Sequence, residues 1–490
     1  MHADEQGEQV INQFQLNIVN SNDKEQNSIP RRKFIKSGLV SSAGLIILPR
    51  HVLGGKGYLA SSDKVNIGLI GAGGRSQGIV SDLFALDDVQ LTAVADPSEY
   101  WGEGSFYKFE SGRGPLKKFI EEHYSEKTPN YKVAEYEDFR VMLEKEKSLD
   151  AIVCASPDNT HAFISILSMR AGKHVYCEKP LAHNIWEVRK MRDVAHETGV
   201  ATQMGNQLHS LDGLRETVEY LRAGIIGKVT QAHSWVSATR WLPHLNGFPE
   251  DSSPVPEGFN WDLWLGPTTW RPFNTVYTPV KWRDFWDFGC GALGDFGCHD
   301  MDTVTWAFNL HSPLSIEVQP AGNMGSADIT PYGEIGYYKF TTNDEQPPLD
   351  LTWYSGGLRP QLPDLLPPDV TLSSRGSMFI GEKGIILGST GKSPEIYPES
   401  LRKSITPPSP SIPRSKGHCR EWIDAIKGGP AAMSNFDYGA RLSEITLLGV
   451  LSLRLGGKKV FWDSKNMKAI GLPEADQFIR EPVRKGWEMD

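Results

Sequence analysis

The chain has 490 residues, with 51 Lys+Arg against 60 Asp+Glu, a formal charge of −9, and 39% hydrophobic residues. That balance suits a globular protein, and an acidic chain without a basic patch excludes nucleic acid or an anionic membrane as its main partner. The five cysteines (Cys154, Cys177, Cys290, Cys298, Cys419) form no CxxC pair and cannot all pair internally, which predicts buried thiols instead of a disulfide frame or a metal knuckle.

Residues 1–29 are polar and apolar-poor and read as an unfolded leader. Arg31-Arg32-Lys33-Phe34-Ile35-Lys36 follows, then a short apolar run from Gly38 to Leu48. At about 1.5 Å per residue that run cannot cross a hydrocarbon core of about 30 Å, so stable membrane insertion is not expected. A charged region, a short apolar region and an arginine pair are the layout of a twin-arginine export signal. The expectation is a signal and leader over residues 1–60 and an exported, periplasmic or otherwise extracytoplasmic protein.

Past residue 60 the chain is too long for one typical core, and two domains are expected, 61–207 and 208–490. Residues 64–70 (KVNIGLI) read as a buried strand that stops at glycines. Gly71-Ala72-Gly73-Gly74-Arg75-Ser76 opens a helix, and the strand VQLTAVAD ends on Asp96. Strand, glycine turn, helix, strand, acid is the dinucleotide-binding unit. Gly71 permits the turn, Gly73 and Gly74 let the backbone approach a pyrophosphate, and the helix N-terminus supplies free N–H groups. Ser76 stands where a third glycine is usual, which predicts slightly wider helix–strand packing. Asp96 can accept from the adenosine ribose hydroxyls and repels a 2′-phosphate, so NAD is favoured; Arg75 in the turn keeps NADP as the alternative.

Residues 99–131 show no clear period and read as a helical insertion. Helix and strand then alternate: a helix from 139, a strand over 149–156, a helix over 160–171, a strand over 173–179, a helix over 185–197 and a strand over 200–205. This predicts an α/β fold with a doubly wound parallel sheet and ligands at the strand carboxyl ends. After Gly227, longer alternating stretches (VTQAHSWVSA, IGYYKFTT, LDLTWYS) predict an α+β domain with a large, mostly antiparallel open sheet. Tryptophan and tyrosine are dense between Trp235 and Trp306, and such rings often line carbohydrate sites, although core packing is the more common use.

GLIGAGGRSQG, ADP, SPDNTH, HVYCEKPLAHN, MGNQ and WDFGCGALGDFGCHDMD together resemble the glucose-fructose oxidoreductase, inositol dehydrogenase and MocA group (Gfo/Idh/MocA) over about residues 64–460. The resemblance implies that the EKP lysine, Lys179, sits beside the nicotinamide and the hydroxyl to be oxidised. It implies that Asp295 and His299, spaced DxxxH, are a substrate-orienting carboxylate and a general base. On a helix such a pair shares a face. It further implies cofactor contacts from Ser156, Asp158, Asn159, His161, Glu178 and Asn206, and substrate contacts from Trp282 and Arg283. His161 reads equally well as a satisfied structural histidine. His209, His233 and His244 lack such context. A metal held by Asp295, His299 and Asp302 is not expected.

The implied chemistry is hydride transfer between a sugar, glycoside or cyclic polyol carbon and the nicotinamide, with His299 or Lys179 taking the hydroxyl proton. Outside the cytoplasm free cofactor is scarce, which favours a tightly held one. Two alternatives remain: transient oxidation, elimination and re-reduction as in the family 109 glycosidases, and a sugar-binding protein that retains NAD. By the same resemblance the chain forms a dimer or tetramer.

Overall fold

The computed structural model describes residues 63–102, 106–341 and 348–489, so the arginine pair and leader lie outside the described residues. Six short strands build the first sheet: β1 (Val65–Ile70), β2 (Val89–Ala95), β3 (Ala134–Tyr136), β4 (Ala151–Cys154), β5 (His174–Glu178) and β6 (Thr202–Gly205). Their order is β3-β2-β1-β4-β5-β6, all parallel. β4 is buried along its whole length, as a central strand covered on both faces must be. The crossovers are α1 (Gly74–Phe84), α2 (Arg113–Ser125), α3 (Phe139–Lys145), α4 (Asp158–Arg170) and α5 (Ile185–Thr198). The order reverses at β1 and β4, and this switch point opens a crevice above the strand carboxyl ends.

After α6 (Asp212–Arg222) the chain enters a nine-stranded sheet. Its strands are β7 (Val229–Val236), β8 (Ser315–Ala321), β9 (Gly333–Phe340), β10 (Leu349–Tyr354), β11 (Arg375–Gly381), β12 (Ile385–Gly388), β13 (Glu395–Tyr397), β14 (Val460–Asp463) and β15 (Lys468–Ala469). All pairings are antiparallel except β7 with β10. β9 alternates buried and exposed residues over its second half, consistent with one covered face.

Between β7 and β8 lie a π-turn (Leu293–Gly297), α7 (Cys298–Asp300) and α8 (Asp302–Ala307). The tail then returns to the first sheet. In α9 (His418–Ile426), Trp422 and Ile423 are fully buried in one cluster with Val65, Ile79 and Leu83 of β1 and α1. α10 (Phe436–Arg454) is buried on nearly every face and packs on α5, β6 and β8. Its N-terminus is capped by Asn435, whose Oδ1 accepts from Asp437 N at 3.0 Å and Tyr438 N at 3.3 Å. At about 1.5–3 kcal/mol per buried large aliphatic side chain, these two helices fasten the later residues to the first sheet.

The insertion departs from expectation. Among its described residues only Arg113–Ser125 is helical; Trp101 and Ser111 instead pair as an isolated bridge, and Gly112 at φ 104° separates the two parts. All five cysteines are free and buried. Among the described residues no helix is long and apolar enough to cross a membrane.

Candidate functional site

The glycine turn is built for close approach. Gly71 has φ +90°, and a Cβ there would stand 2.7 Å from the Ala155 backbone. At Gly73 a Cβ would meet nothing within 4 Å, so the space above the turn is open. Gly73 caps α1 without any side-chain cap; Ser76 N donates to the Gly73 carbonyl at 3.1 Å, which leaves the N–H groups of Gly74 and Arg75 for an anion. Ser76 is fully buried and its Oγ donates to the Gly71 carbonyl, fastening helix to strand where a third glycine is usual. Asp96 accepts from Ala72 N at 2.6 Å and Ser98 N at 2.7 Å, so it holds the turn's shape and keeps lone pairs for a ribose. Burial raises its carboxyl, and those two N–H groups and Arg113 oppose the rise. These features fit a dinucleotide.

Arg75 is not free to meet a 2′-phosphate. Its Nε donates to Glu178 Oε1 at 2.9 Å, and Glu178 also accepts from Gln207 at 2.8 Å. Burial would raise the Glu178 carboxyl, but Arg75 and Lys179 hold it below the ordinary value.

One residue beyond Glu178, Lys179 Nζ lies 2.5 Å from Asp295 Oδ1, and Arg283 Nε lies 3.4 Å from the same oxygen. Their side chains are 11%, 16% and 18% exposed for Lys179, Asp295 and Arg283. Burial alone would raise the Asp295 carboxyl; Lys179 and Arg283 outweigh it and hold it at about 2. A permanent carboxylate thus sits between two buried cations. Arg283 also lies over the Trp282 ring, 4.2 Å from its centroid. Trp282 itself is buried in an aromatic cluster with Phe285, Phe288 and Trp261, which makes it a support for Arg283 more than a free sugar platform.

His299 stands apart from Asp295. The π-turn carries Asp295, α7 carries His299, and no hydrogen bond joins them among the described residues. The His299 Nδ1 is buried and unpartnered. Burial first, then Arg375 and Lys179, depress its pKa well below the usual value, so the imidazole is neutral. It lines a cavity of about 40 Å³ with Asp300, Leu208, Ser377 and Ser389.

Several expected cofactor contacts are turned inward. Asn206 is fully buried, donates to Asp302 at 3.0 Å and accepts from Ser434 Oγ. His161 bonds the Pro180 carbonyl at 2.8 Å and the Ser156 carbonyl at 2.9 Å, and Asn159 donates to Leu265 O and Thr268 Oγ1. Their side chains are therefore structural ties. Ser156 Oγ accepts from Thr160 Oγ1 at 2.7 Å, and Asp158 accepts from Cys290 N at 3.2 Å.

The sequence also passed over His209 and Asp302. Asp302, with no exposure, accepts from His209 Nδ1 at 3.0 Å and from Tyr438 Oη, besides Asn206. Asp302 is thereby taken out of any metal set with Asp295 and His299. Cys154, His161 and Cys177 place ligand-type atoms within 4.8 Å of one another, but both His161 nitrogens face carbonyl oxygens.

Residues 65–206 match the family model described as an oxidoreductase family NAD-binding Rossmann fold, and residues 225–340 the corresponding C-terminal alpha/beta domain. A glycosyl hydrolase family 109 protein of Shewanella pealeana is 24% identical over 227 residues, 43% of this chain and 47% of that protein. A 1,5-anhydro-D-fructose reductase of Ensifer adhaerens is 25% identical over 198 residues, 40% of this chain and 49% of that protein. The chain thus spans about half the length of these curated relatives. The WlbA dehydrogenase of Bordetella pertussis, solved with NADH and UDP-GlcNAcA, shares the fold with TM-score 0.54 at 16% identity, covering 82% of this chain and 99% of that one.

Proposed function

Because the chain belongs to the Gfo/Idh/MocA oxidoreductase family, with its NAD-binding Rossmann domain and its C-terminal domain both matched, we propose that it is an exported, NAD-dependent enzyme acting on a hydroxyl-bearing carbon of a sugar, glycoside or cyclic polyol. The observation that carries this reading is the buried Lys179–Asp295–Arg283 cluster at the end of β5, close to an open glycine turn. When bound, the nicotinamide supplies a hydride acceptor and donor at its ring C4. Lys179, in contact with the Asp295 carboxylate, donates a hydrogen bond to the substrate oxygen. Asp295 and Arg283 fix where that donor points. Neutral His299 accepts the hydroxyl proton as the carbon is oxidised and returns it in the reverse direction. Arg75, engaged by Glu178, leaves Asp96 to set the preference for NAD.

Export rests on Arg31-Arg32 and the short apolar run behind them. Outside the cytoplasm a released cofactor is not replaced, so the reading includes a dinucleotide that stays bound. Similarity to proteins named as family 109 glycosyl hydrolases supports a second reading, redox-neutral glycoside cleavage through transient oxidation. One experiment separates the two. Purified protein is incubated with a panel of sugars and glycosides while the reduced-nicotinamide absorbance and aglycone release are followed together. Reduction without release supports net oxidation; release without net reduction supports cleavage. Neither signal from any sugar or glycoside overturns both.

A further inference from the structure

The first residue of α1 is Gly74, and a Cβ on it would overlap the ring of Tyr107 at its Cγ. The face that residue 74 would present with its own side chain is therefore supplied by another segment of the chain. Gly73 beside it is open. One residue of the turn is left clear for a ligand, and the next is covered by an aromatic ring.

The segment that delivers Tyr107 is pinned on both sides. Gly112 N donates to the Ala72 carbonyl of the turn at 2.9 Å, and Gln77 Nε2 of α1 donates to the Glu110 carbonyl at 2.7 Å. Trp101 and Ser111 exchange two backbone hydrogen bonds at 2.7 and 3.0 Å. On its other side Phe106 packs edge-on against Trp241 at 4.8 Å, and Glu99 N donates to Gly258 O at 2.8 Å. Tyr107 is thus held between the glycine turn and the second half of the protein. Its phenol interacts electrostatically with Arg283, Arg75, Asp295 and Lys179, and burial keeps it protonated as a hydrogen-bond donor.

We infer that Tyr107 is a cofactor-contacting residue, its ring forming the wall of the dinucleotide cleft that Gly74 leaves room for and slowing release of the cofactor. The inference rests on the reading of this cleft as a dinucleotide site. It gives retention a physical source in this chain: a rigid aromatic wall over the helix end that receives the pyrophosphate.

The test is stopped-flow displacement of bound NADH, followed by nicotinamide fluorescence, in wild-type protein and in Tyr107→Ala, Tyr107→Phe and Gly74→Ala. Losing the ring (Tyr107→Ala) or displacing it (Gly74→Ala) is expected to speed NADH release about tenfold or more. Tyr107→Phe keeps the ring and is expected to release NADH at the wild-type rate. Tyr107→Leu is measured alongside, so that failure of the alanine variant to fold still leaves a comparison. Release from Tyr107→Ala or Tyr107→Leu that is unchanged or slower overturns the proposal. If the wild-type protein takes up no NADH, the functional reading of the cleft fails instead, before any variant is compared.

Discussion

Asp295→Asn removes a charge and almost no volume, so it isolates what the carboxylate does. The cations at 2.5 and 3.4 Å have side chains only 11% and 18% exposed, and both stay buried when the anion is gone. Leaving a buried charge without its partner costs about 3–5 kcal/mol. The pH dependence distinguishes this cost from one of packing. Burial pushes the Asp295 carboxyl up, Lys179 and Arg283 pull it further down, and the result is about 2 against an ordinary 3.8. A depressed carboxyl contributes stability that is full above the unfolded value and is lost as pH falls through the folded one. At about 1.36 kcal/mol per pH unit the difference is worth about 2.5 kcal/mol, of which roughly half is gone by pH 3. Urea denaturation of both proteins at pH 7, 5 and 3, followed by tryptophan fluorescence and circular dichroism, measures it. The variant is expected to be less stable by about 3–5 kcal/mol at pH 7 and 5, with the gap narrowing by about 1 kcal/mol at pH 3. A gap identical at all three pH values, or below about 1 kcal/mol at pH 7, refutes the electrostatic account.

Three further outcomes are expected. Asn206→Ala strips Asp302 and Ser434 of a buried partner and should lower stability by about 1–3 kcal/mol while leaving the NADH Kd unchanged; a raised Kd at unchanged stability would restore Asn206 as a cofactor contact. His418 is depressed to about 4 from 6.5, first by burial, so its contribution is full above pH 6.5 and is lost as pH falls through about 4. Its side chain meets the Met204 carbonyl at 2.8 Å and Ser210 Oγ at 2.7 Å, and His418→Asn should flatten the fall in urea midpoint between pH 7 and 4, whereas an unaltered slope would place the acid sensitivity elsewhere. With Arg75 engaged by Glu178, calorimetry should show NAD binding more tightly than NADP, with Glu178→Gln narrowing the ratio by releasing the guanidinium; equal affinities in the wild type would count against this use of Arg75.

The first sheet was legible because its signals are local. VNIGLI, AIVC and HVYCE are short, mostly apolar runs rich in branched residues, and Gly71, Gly73 and Asp96 fall at fixed offsets along the strand–turn–helix–strand unit. Lys179 stands out for the same reason, as part of a short tripeptide at a strand end. What was not legible depends on pairs far apart in the chain. His209 meets Asp302 across 93 positions and Tyr438 meets it across 136, and neither residue carries a neighbourhood that announces the partner. Asn206 is a case of the same kind: its strand-end position suggests a ligand contact, whereas its amide faces inward to the distant Asp302 and Ser434. Among the described residues, 99–102 and 106–111 gave no period because they form neither helix nor sheet strand; they are held by turn backbone and by Trp241.

The divergence of Asp295, His299 and Asp302 follows from the backbone between them. At spacings i, i+4 and i+7 the three would line one face of an α-helix, the arrangement that suggests a shared acid–base or metal site. Leu293–Gly297 is instead wound as a π-turn, with more residues per turn, and Met301 interrupts the helix before Asp302. Asp295 is left facing Lys179 and Arg283, while Asp302 faces His209 and Tyr438. The glycines in LGDFG show what fixes this winding. A Cβ at Gly297 would stand 2.6 Å from the Thr446 side chain of α10, and one at Gly294 would overlap Cys290. The turn is pressed against α10 on the side away from the cleft. The placement of the charged oxygen beside Lys179 is therefore set by apolar packing behind it as much as by the cations in front, which is how a buried carboxylate can be held ready before any substrate arrives.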